Sequence, residues 1–370
     1  MWRTAGLDVP AVQVIETHGA WVYLGGGHVL KRKKPVTLWS NPLGPGGPSP
    51  GRAGPLLDFS TPERRELACR EEVRLNRRLA PDVYVGVLAW RQGAGSGTNL
   101  GPHDVPHDGP PHTAALARDP LEAPWLDAWG AGVADDWLVW MRRLPAERML
   151  DHLLLTARAR TGAEAVQPEA IEALGVVLGR FWHGGTVDTW RAEAHLRAMA
   201  VEHDADVAVL THPHLGLRRE ALPLLHRMDR LRTRADAALR KRALSGALRD
   251  GHGDLRPEHI ALLDPPRVID ALEFDPALRT QDPFEELAFL GLECERLGAA
   301  WIGPRLMAHW SATCREPAPG DLIPLYTARR ALLRARLALA HLLEPDVRHP
   351  ERWLPLARWY LQLGTEALPT

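Results

Sequence analysis

The sequence predicts an α+β fold with two lobes, a small antiparallel-sheet lobe followed by a larger helical lobe. Up to about residue 143, short runs of β-branched and aromatic residues alternate with turn residues, as is typical of strands. From Met149 onward, apolar residues recur at helical spacing. A chain of 370 residues is long enough for two sizeable cores. We therefore expect a first lobe over residues 1–143 and a second over residues 144–370.

The first lobe contains several strand patterns. The glycine triplet Gly25-Gly26-Gly27 predicts a hairpin turn rather than a phosphate-binding loop, because no G-x-G-x-x-G or Walker pattern surrounds it. Segments 40–56 and 91–130 have the composition of loops, and we expect insertions there. The second insertion contains histidines without the spacing of a metal site: His103, His107 and His112. The predicted strands are 12–15, 20–24, 28–33, 81–90 and 137–141.

A helix is predicted to begin near residue 60. Ser60-Thr61-Pro62-Glu63 combines capping residues with a proline suited to the first helical position. Glu71 and Glu72 flank the apolar stripe of this helix, and periodicity alone does not say which carboxylate turns inward. The stripe consists of Leu67, Ala68, Leu75 and Leu79.

Lysine usage points to a special site in the third strand. The chain has 4 Lys against 41 Arg, and three of the four are Lys31, Lys33 and Lys34. If the identity of the cation did not matter, arginine would be expected at nearly all such positions. Strand alternation places Lys31 and Lys33 on one face. The cluster indicates a site that requires a compact ammonium group.

The most informative stretch runs from Arg249 to Asp275. It contains His252-Gly253-Asp254, then a short apolar run, a turn at Asp264-Pro265-Pro266, and a second apolar run ending in Asp270. Two short strands joined by a turn would bring Asp254 and Asp270 near one end of a hairpin. That arrangement suits phosphoryl transfer, in which one carboxylate accepts a hydroxyl proton and another holds magnesium.

HGDLRPEH followed by IDALEF resembles the catalytic and metal-binding loops of the aminoglycoside phosphotransferase group, small-molecule kinases related to protein kinases. Within that group the chain is most similar to the kinase-like domain often fused to a P-loop ATPase, and we expect the stand-alone form. The resemblance implies a two-lobed protein-kinase-like fold, with Asp254 as the catalytic carboxylate and Asp270 as the metal-binding Asp. The family usually has Asn five residues after the catalytic Asp, where this chain has His259. A neutral imidazole can bind a metal ion, but magnesium prefers oxygen ligands. We therefore expect His259 as the second metal ligand only because it occupies the position of the family's Asn.

The resemblance also assigns a nucleotide site in the first lobe. HVLK resembles the strand motif V-A-I-K, which implies that Lys31 binds phosphates, with Lys33 as the alternative on the same face. Similarity to the family favours Glu72 over Glu71 as the carboxylate that orients this lysine. The expected cofactors are ATP and Mg²⁺, and the expected partner is a small molecule with an acceptor hydroxyl. Adenine would contact backbone groups at Met141, Arg142 and Arg143.

Four further positions carry weaker predictions. Glu286 replaces the Asp that buttresses the catalytic loop in the family, and its extra methylene would either be tolerated or shift the loop. His183, at a helix end, is interpreted as a packing residue rather than a catalyst. Arg330 and Arg334 lie four residues apart on a helix and are expected to form a solvated face rather than an anion site.

Composition excludes several other classes of protein. The formal net charge of -1 gives no reason to expect nucleic acid or an anionic membrane as a partner. No apolar run approaches the ~20 residues of a membrane helix, and the first residues do not resemble a secretory signal, so we expect a cytoplasmic protein. Cys69, Cys294 and Cys314 are too few and too scattered for a disulfide framework.

Two alternatives to an active phosphotransferase stay open at this point. The first is a pseudokinase that binds a nucleotide without turnover, which His259 motivates. The second is a metal hydrolase built on histidines, but Leu255 stands where the H-x-x-E-H motif would need its first histidine.

Overall fold

A computed structural model of the chain describes residues 12–38, 57–90, 134–159, 166–185, 187–343 and 347–369. The predicted insertions at 40–56 and 91–130 lie outside these residues, and so do the three histidines of the second insertion. The described residues form two compact units, and the chain passes from the first to the second between Pro145 and Ala146.

The first unit is built on an antiparallel sheet. Five of its described strands follow the order β1-β2-β3-β7-β6. Gly25 pairs with His28, so β2 and β3 are joined by a two-residue turn in which Gly26 has a φ of 54°. A positive φ favours glycine, and the predicted hairpin is confirmed. The elements are β1 (Gln13–Glu16), β2 (Ala20–Gly25), β3 (His28–Lys33), β4 (Thr37–Leu38), β5 (Leu57–Asp58), α1 (Pro62–Asn76), β6 (Tyr84–Trp90) and β7 (Asp136–Arg142).

Helix α1 begins as predicted and buries only part of the predicted apolar stripe. Thr61 caps it by accepting a hydrogen bond from the backbone N–H of Arg64, and Pro62 is its first residue. The predicted apolar stripe is wrong at Leu67, whose side chain is 69% exposed. Leu75 is buried as predicted, but the helix also buries a largely polar face, because this face meets buried charges of the sheet. It consists of Arg65, Cys69, Glu72 and Asn76, at helical spacing.

The second unit is predominantly helical. Its helix α3 (Pro168–His183) buries Ile171, Leu174 and Leu178, which agrees with the helical spacing of apolar residues after Met149. Its elements are α2 (Leu150–Ala159), α3 (Pro168–His183), α4 (Thr189–Leu210), α5 (Arg218–Leu244), β8 (Arg249–Asp250), β9 (Ile260–Ala261), β10 (Arg267–Val268), α6 (Pro276–Arg279), β11 (Thr280–Gln281), α7 (Pro283–Arg296), α8 (Ile302–Cys314), α9 (Ile323–Ala340) and α10 (Pro350–Ala367).

The helices α7 and α8 approach each other closely because both present a glycine at the contact. A Cβ atom added to Gly303 would lie 2.8 Å from the Cα of Gly291. Any side chain at either position would push the two helices apart. This contact fixes α7, the helix that carries Glu286.

The two short strands β9 and β10 pair antiparallel, with Ile260 opposite Val268. The hairpin predicted between Asp254 and Asp270 is therefore confirmed. Within the residues that the structure describes, no helix is both long and apolar enough to cross a membrane.

Candidate active site

The loop that contains Asp254 and the loop that contains Asp270 are connected by backbone and histidine hydrogen bonds. Ile269 donates its N–H to the carbonyl of His259 at 2.9 Å, and Leu272 donates to the carbonyl of His252 at 3.0 Å. The ring of His252 is fully buried, and its Nε2 donates to the carbonyl of Ile269 at 2.8 Å. Burial lowers the pKa of His252 to about 4, so the ring is neutral at physiological pH.

Glu286 supports this loop from below. Its Oε1 accepts from the backbone N–H groups of His252 at 2.8 Å and Gly253 at 2.6 Å, and its Oε2 accepts from the indole N–H of Trp182 at 2.9 Å. A Cβ atom at Gly251 would lie 2.4 Å from Oε2. The glutamate therefore fits under the loop because residue 251 has no side chain. Burial raises the pKa of Glu286, and its three hydrogen-bond donors oppose that rise.

Asp254 presents its carboxylate at the surface of the second unit. Its side chain is 25% exposed, and its Oδ2 lies 3.0 Å from Nε and 2.9 Å from Nη2 of Arg256. Burial acts to raise the pKa of Asp254, but the charges of Arg256, His259 and Arg334 outweigh that effect and lower the pKa. The carboxylate is therefore ionised at neutral pH. Arg256 also pairs with Glu258.

The imidazole of His259 contacts both acidic residues. Its Nδ1 donates to the backbone carbonyl of Asp254 at 2.8 Å and lies 3.9 Å from Oδ2 of the same residue. Its Nε2 lies 3.6 Å from Oδ2 of Asp270. Asp270 has a φ of 65°, a left-handed conformation that Asp tolerates better than most residues, and its side chain is 43% exposed. The structure thus brings Asp254, His259 and Asp270 together.

The residues at this hairpin fit a divalent ion. One ion at bond lengths of ~2.1 to 2.2 Å could reach both Asp270 Oδ2 and His259 Nε2, because these atoms are closer than the sum of two such bonds. Two protein ligands are enough where nucleotide phosphates and water supply the others. Across the described residues, no group of three or more His, Cys, Asp or Glu is arranged to hold a metal ion.

In the first unit, both candidate lysines contact Glu72. Lys31 Nζ lies 2.9 Å from Glu72 Oε1, and Lys33 Nζ lies 2.7 Å from Oε2. Glu72 is 0% exposed, whereas Glu71 pairs with Arg74 at the surface. The lysines differ in exposure: Lys33 is 1% exposed and its ammonium lies 4.8 Å from the ring centroid of Phe59, but Lys31 is 16% exposed.

In the segment predicted to contact adenine, Met141–Arg143, two backbone N–H groups already donate hydrogen bonds within the protein. The N–H of Arg142 donates to Val83 and that of Arg143 to Gly27, both at 2.8 Å. A backbone N–H makes one good hydrogen bond, so adenine could accept a hydrogen bond from Arg142 or Arg143 only by replacing one of these partners.

Two interpretations of the helical residues are wrong. His183 is exposed and does not pack; the buried residue at this helix end is its neighbour Trp182, which bonds to Glu286. Arg330 is buried and bonds to Gln281, and Arg334 pairs with Glu293 at 2.9 Å, so the two do not form a solvated face. Buried acids on α7 explain why these arginines turn inward.

Sequence reasoning missed three residues of the site: Trp182, Gly251 and Arg256. Arg256 was visible in HGDLRPEH, two residues after Asp254. Gly251 and Trp182 are linked to Glu286 only by tertiary contacts.

Comparison with known proteins identifies sequence relatives and a fold. No protein-family model matches the chain. Uncharacterized proteins of Mycobacterium tuberculosis and Mycobacterium bovis are 28% identical over 333 residues, which cover 89% of this chain and 55% of each relative. The chain therefore spans about half the length of these relatives, and the stand-alone form stays a prediction.

Among solved structures, a choline/ethanolamine kinase family protein from Mesorhizobium loti matches with a TM-score of 0.52 and 15% identity, over 99% of this chain and 90% of that one. A glucosamine kinase and an aminoglycoside-3'-phosphotransferase of type VIII match with TM-scores of 0.42 and 0.39. The chain has the α+β, kinase-like fold that its sequence predicts.

Proposed function

We propose that this chain is a phosphotransferase that moves the γ-phosphoryl group of ATP to a hydroxyl group of a small molecule. In this proposal Asp254 positions the acceptor hydroxyl and takes its proton, and Asp270 and His259 hold a divalent ion. Lys31, oriented by Glu72, binds phosphate oxygens. A bound divalent ion supplies positive charge that neutralises the phosphates.

One observation carries the proposal: Asp254 and Asp270 contact opposite nitrogens of the same imidazole, on one hairpin of a kinase-like fold. Phosphoryl transfer needs one carboxylate for the acceptor and another for the metal, close together. Both side chains are partly exposed, so substrate atoms can reach them. The ionised state of Asp254 at neutral pH suits a group that accepts a proton.

The lysine site supports the same proposal. Lys31 is the more exposed of the two lysines that share Glu72, and a carboxylate partner holds its ammonium in one place. A positioned ammonium is the group that kinase-like enzymes use on nucleotide phosphates. We therefore assign Lys31 to phosphate and Lys33 to the support of Glu72.

A second candidate function is nucleotide binding without turnover. The observation that favours it is His259, which stands where a kinase-like metal site has an amide oxygen. In that case ATP would bind and Asp254 would have no acceptor to deprotonate.

The test is a transfer assay with ATP labelled in its γ-phosphoryl group, a divalent ion and a panel of sugars, amino alcohols and nucleosides. The proposal expects a labelled product from at least one acceptor, and no such product with Asp254→Asn. Nucleotide binding without any labelled product would favour the second function, and a product formed equally by Asp254→Asn would overturn the proposed role of Asp254.

A further inference from the structure

The imidazole of His259 is held with one nitrogen next to Asp270. The carbonyl oxygen of Asp254 can only accept a hydrogen bond, so the Nδ1 that contacts it at 2.8 Å carries the proton. In the neutral ring, Nε2 then has a lone pair. That lone pair lies on the side of Asp270, whose Oδ2 is 3.6 Å away.

The position of this ring is determined by its surroundings. His259 is buried at the end of a short 3₁₀ turn that begins at Pro257. Its ring stacks on that of His252, with centroids 5.8 Å apart, and His252 is itself fixed by the carbonyl of Ile269. An ion bound by Asp270 would therefore meet the nitrogen without rearrangement of the ring.

One neighbour opposes metal binding at this nitrogen. Nη2 of Arg256 donates a hydrogen bond to Nε2 of His259 at 3.4 Å. This distance is long for a hydrogen bond, and the same guanidinium makes shorter contacts to Asp254 and Glu258. A metal ion at this nitrogen would replace that long hydrogen bond, and Arg256 would keep its contacts to these two carboxylates, which offset its positive charge.

A nitrogen ligand changes which ion the site prefers. Magnesium takes oxygen ligands almost exclusively, whereas imidazole binds first-row transition ions well. Resting on the proposed function, we propose that His259 is a metal ligand that makes this site prefer a first-row transition ion over Mg²⁺. Mn²⁺ combines tolerance of nitrogen with the octahedral oxygen coordination that phosphates supply, and it is the probe for the test.

The test is pulsed electron paramagnetic resonance of Mn²⁺ bound to the full chain together with a non-hydrolysable ATP analogue. The proposal expects coupling between Mn²⁺ and an imidazole nitrogen in the wild-type protein. This coupling should be lost in His259→Asn and kept in His183→Asn, which changes an exposed histidine of the same unit. Bound Mn²⁺ without nitrogen coupling in the wild-type protein overturns the proposal, and that measurement does not depend on any variant folding.

Competition between Mn²⁺ and Mg²⁺ gives a second readout. The ratio of the two affinities should fall by about tenfold or more in His259→Asn, because an amide oxygen replaces the nitrogen. An unchanged ratio in a folded variant contradicts the inference. If His259→Asn transfers phosphate with Mg²⁺ and the wild-type protein shows no nitrogen coupling, this inference fails and the proposed function stands. If the wild-type protein binds no nucleotide with either ion, the proposed function fails as well.

Discussion

Glu72 in the first unit and Asp254 in the second are both acids paired with cations, but they differ in exposure. Glu72 is 0% exposed and divides its two oxygens between two lysines. Asp254 is 25% exposed and meets Arg256 through one oxygen, Oδ2. A fully buried acid holds its partners in position, whereas a partly exposed one can also meet a substrate. This difference in exposure supports the proposal that Glu72 positions the lysines and that Asp254 meets the substrate.

The largest expected effect comes from Asp254→Asn. Loss of the proton acceptor should lower the rate of phosphoryl transfer by about 10²- to 10⁴-fold, because general base catalysis typically contributes that much. Nucleotide affinity should change little, since the side chain is nearly isosteric, and the unfolding free energy should fall by about 1 kcal/mol or less, because the lost ion pair with Arg256 is partly exposed. Steady-state kinetics, calorimetry and urea unfolding of the same variant measure the three quantities. Loss of stability without loss of rate would mean that Asp254, like Glu72, serves the fold rather than the chemistry.

The two lysines provide a matched pair that sharpens the comparison. Lys33→Met leaves one oxygen of the buried Glu72 without its ammonium, and we expect the unfolding free energy to fall by about 3 kcal/mol. Lys31→Met should cost less stability, because Lys31 is more exposed, but should weaken nucleotide binding at least about tenfold through the lost phosphate contact. Urea unfolding and calorimetry of both variants check this. Equal effects of the two substitutions on binding and stability would contradict the division of roles.

The pH dependence of stability tests the buried state of His252, which lies two residues before Asp254. The pKa of His252 is about 4 in the folded protein and about 6.5 when unfolded, so between these values the unfolded chain binds more protons. Stability should therefore fall as pH decreases from 6.5, by about 1 to 2 kcal/mol at pH 5 from this group. Urea unfolding of His252→Gln should show a smaller decrease than the wild-type protein, with the exposed His183→Gln as control. An unchanged slope in His252→Gln would show that other groups cause it.

The last prediction tests how Glu286 fits beside Gly251. Gly251→Ala places a methyl group against its carboxylate, and we expect a loss of about 1 to 3 kcal/mol of unfolding free energy. The same substitution in a Glu286→Asp background should cost less, because the shorter acid leaves room. A double-mutant cycle by urea unfolding measures this difference. If the effects of Gly251→Ala and Glu286→Asp on unfolding free energy were additive, the absence of a side chain at residue 251 would not be what makes room for the longer Glu286.

The sequence predicted the features that depend on neighbouring residues and missed those that depend on tertiary contacts. The β2–β3 and β9–β10 hairpins followed from turn residues between apolar runs, which are local signals. The buried face of α1 did not follow, because periodicity counts apolar residues and this face buries Arg65 and Glu72 against charged partners. The hydrogen bond from Trp182 to Glu286 and the space at Gly251 depend on residues distant in sequence. The pairing of Arg334 with Glu293 was missed for the same reason.

The central claim is that residues of the β9–β10 hairpin bind nucleotide phosphates through a divalent ion. The most direct test of this claim does not require the acceptor to be known. It is calorimetric titration of the wild-type protein and Asp270→Asn with a non-hydrolysable ATP analogue, with and without Mn²⁺ or Mg²⁺. The account predicts that a divalent ion tightens nucleotide binding in the wild-type protein and has little effect in Asp270→Asn. Equal dependence on the ion in both proteins, or no nucleotide binding by the wild-type protein, would contradict it.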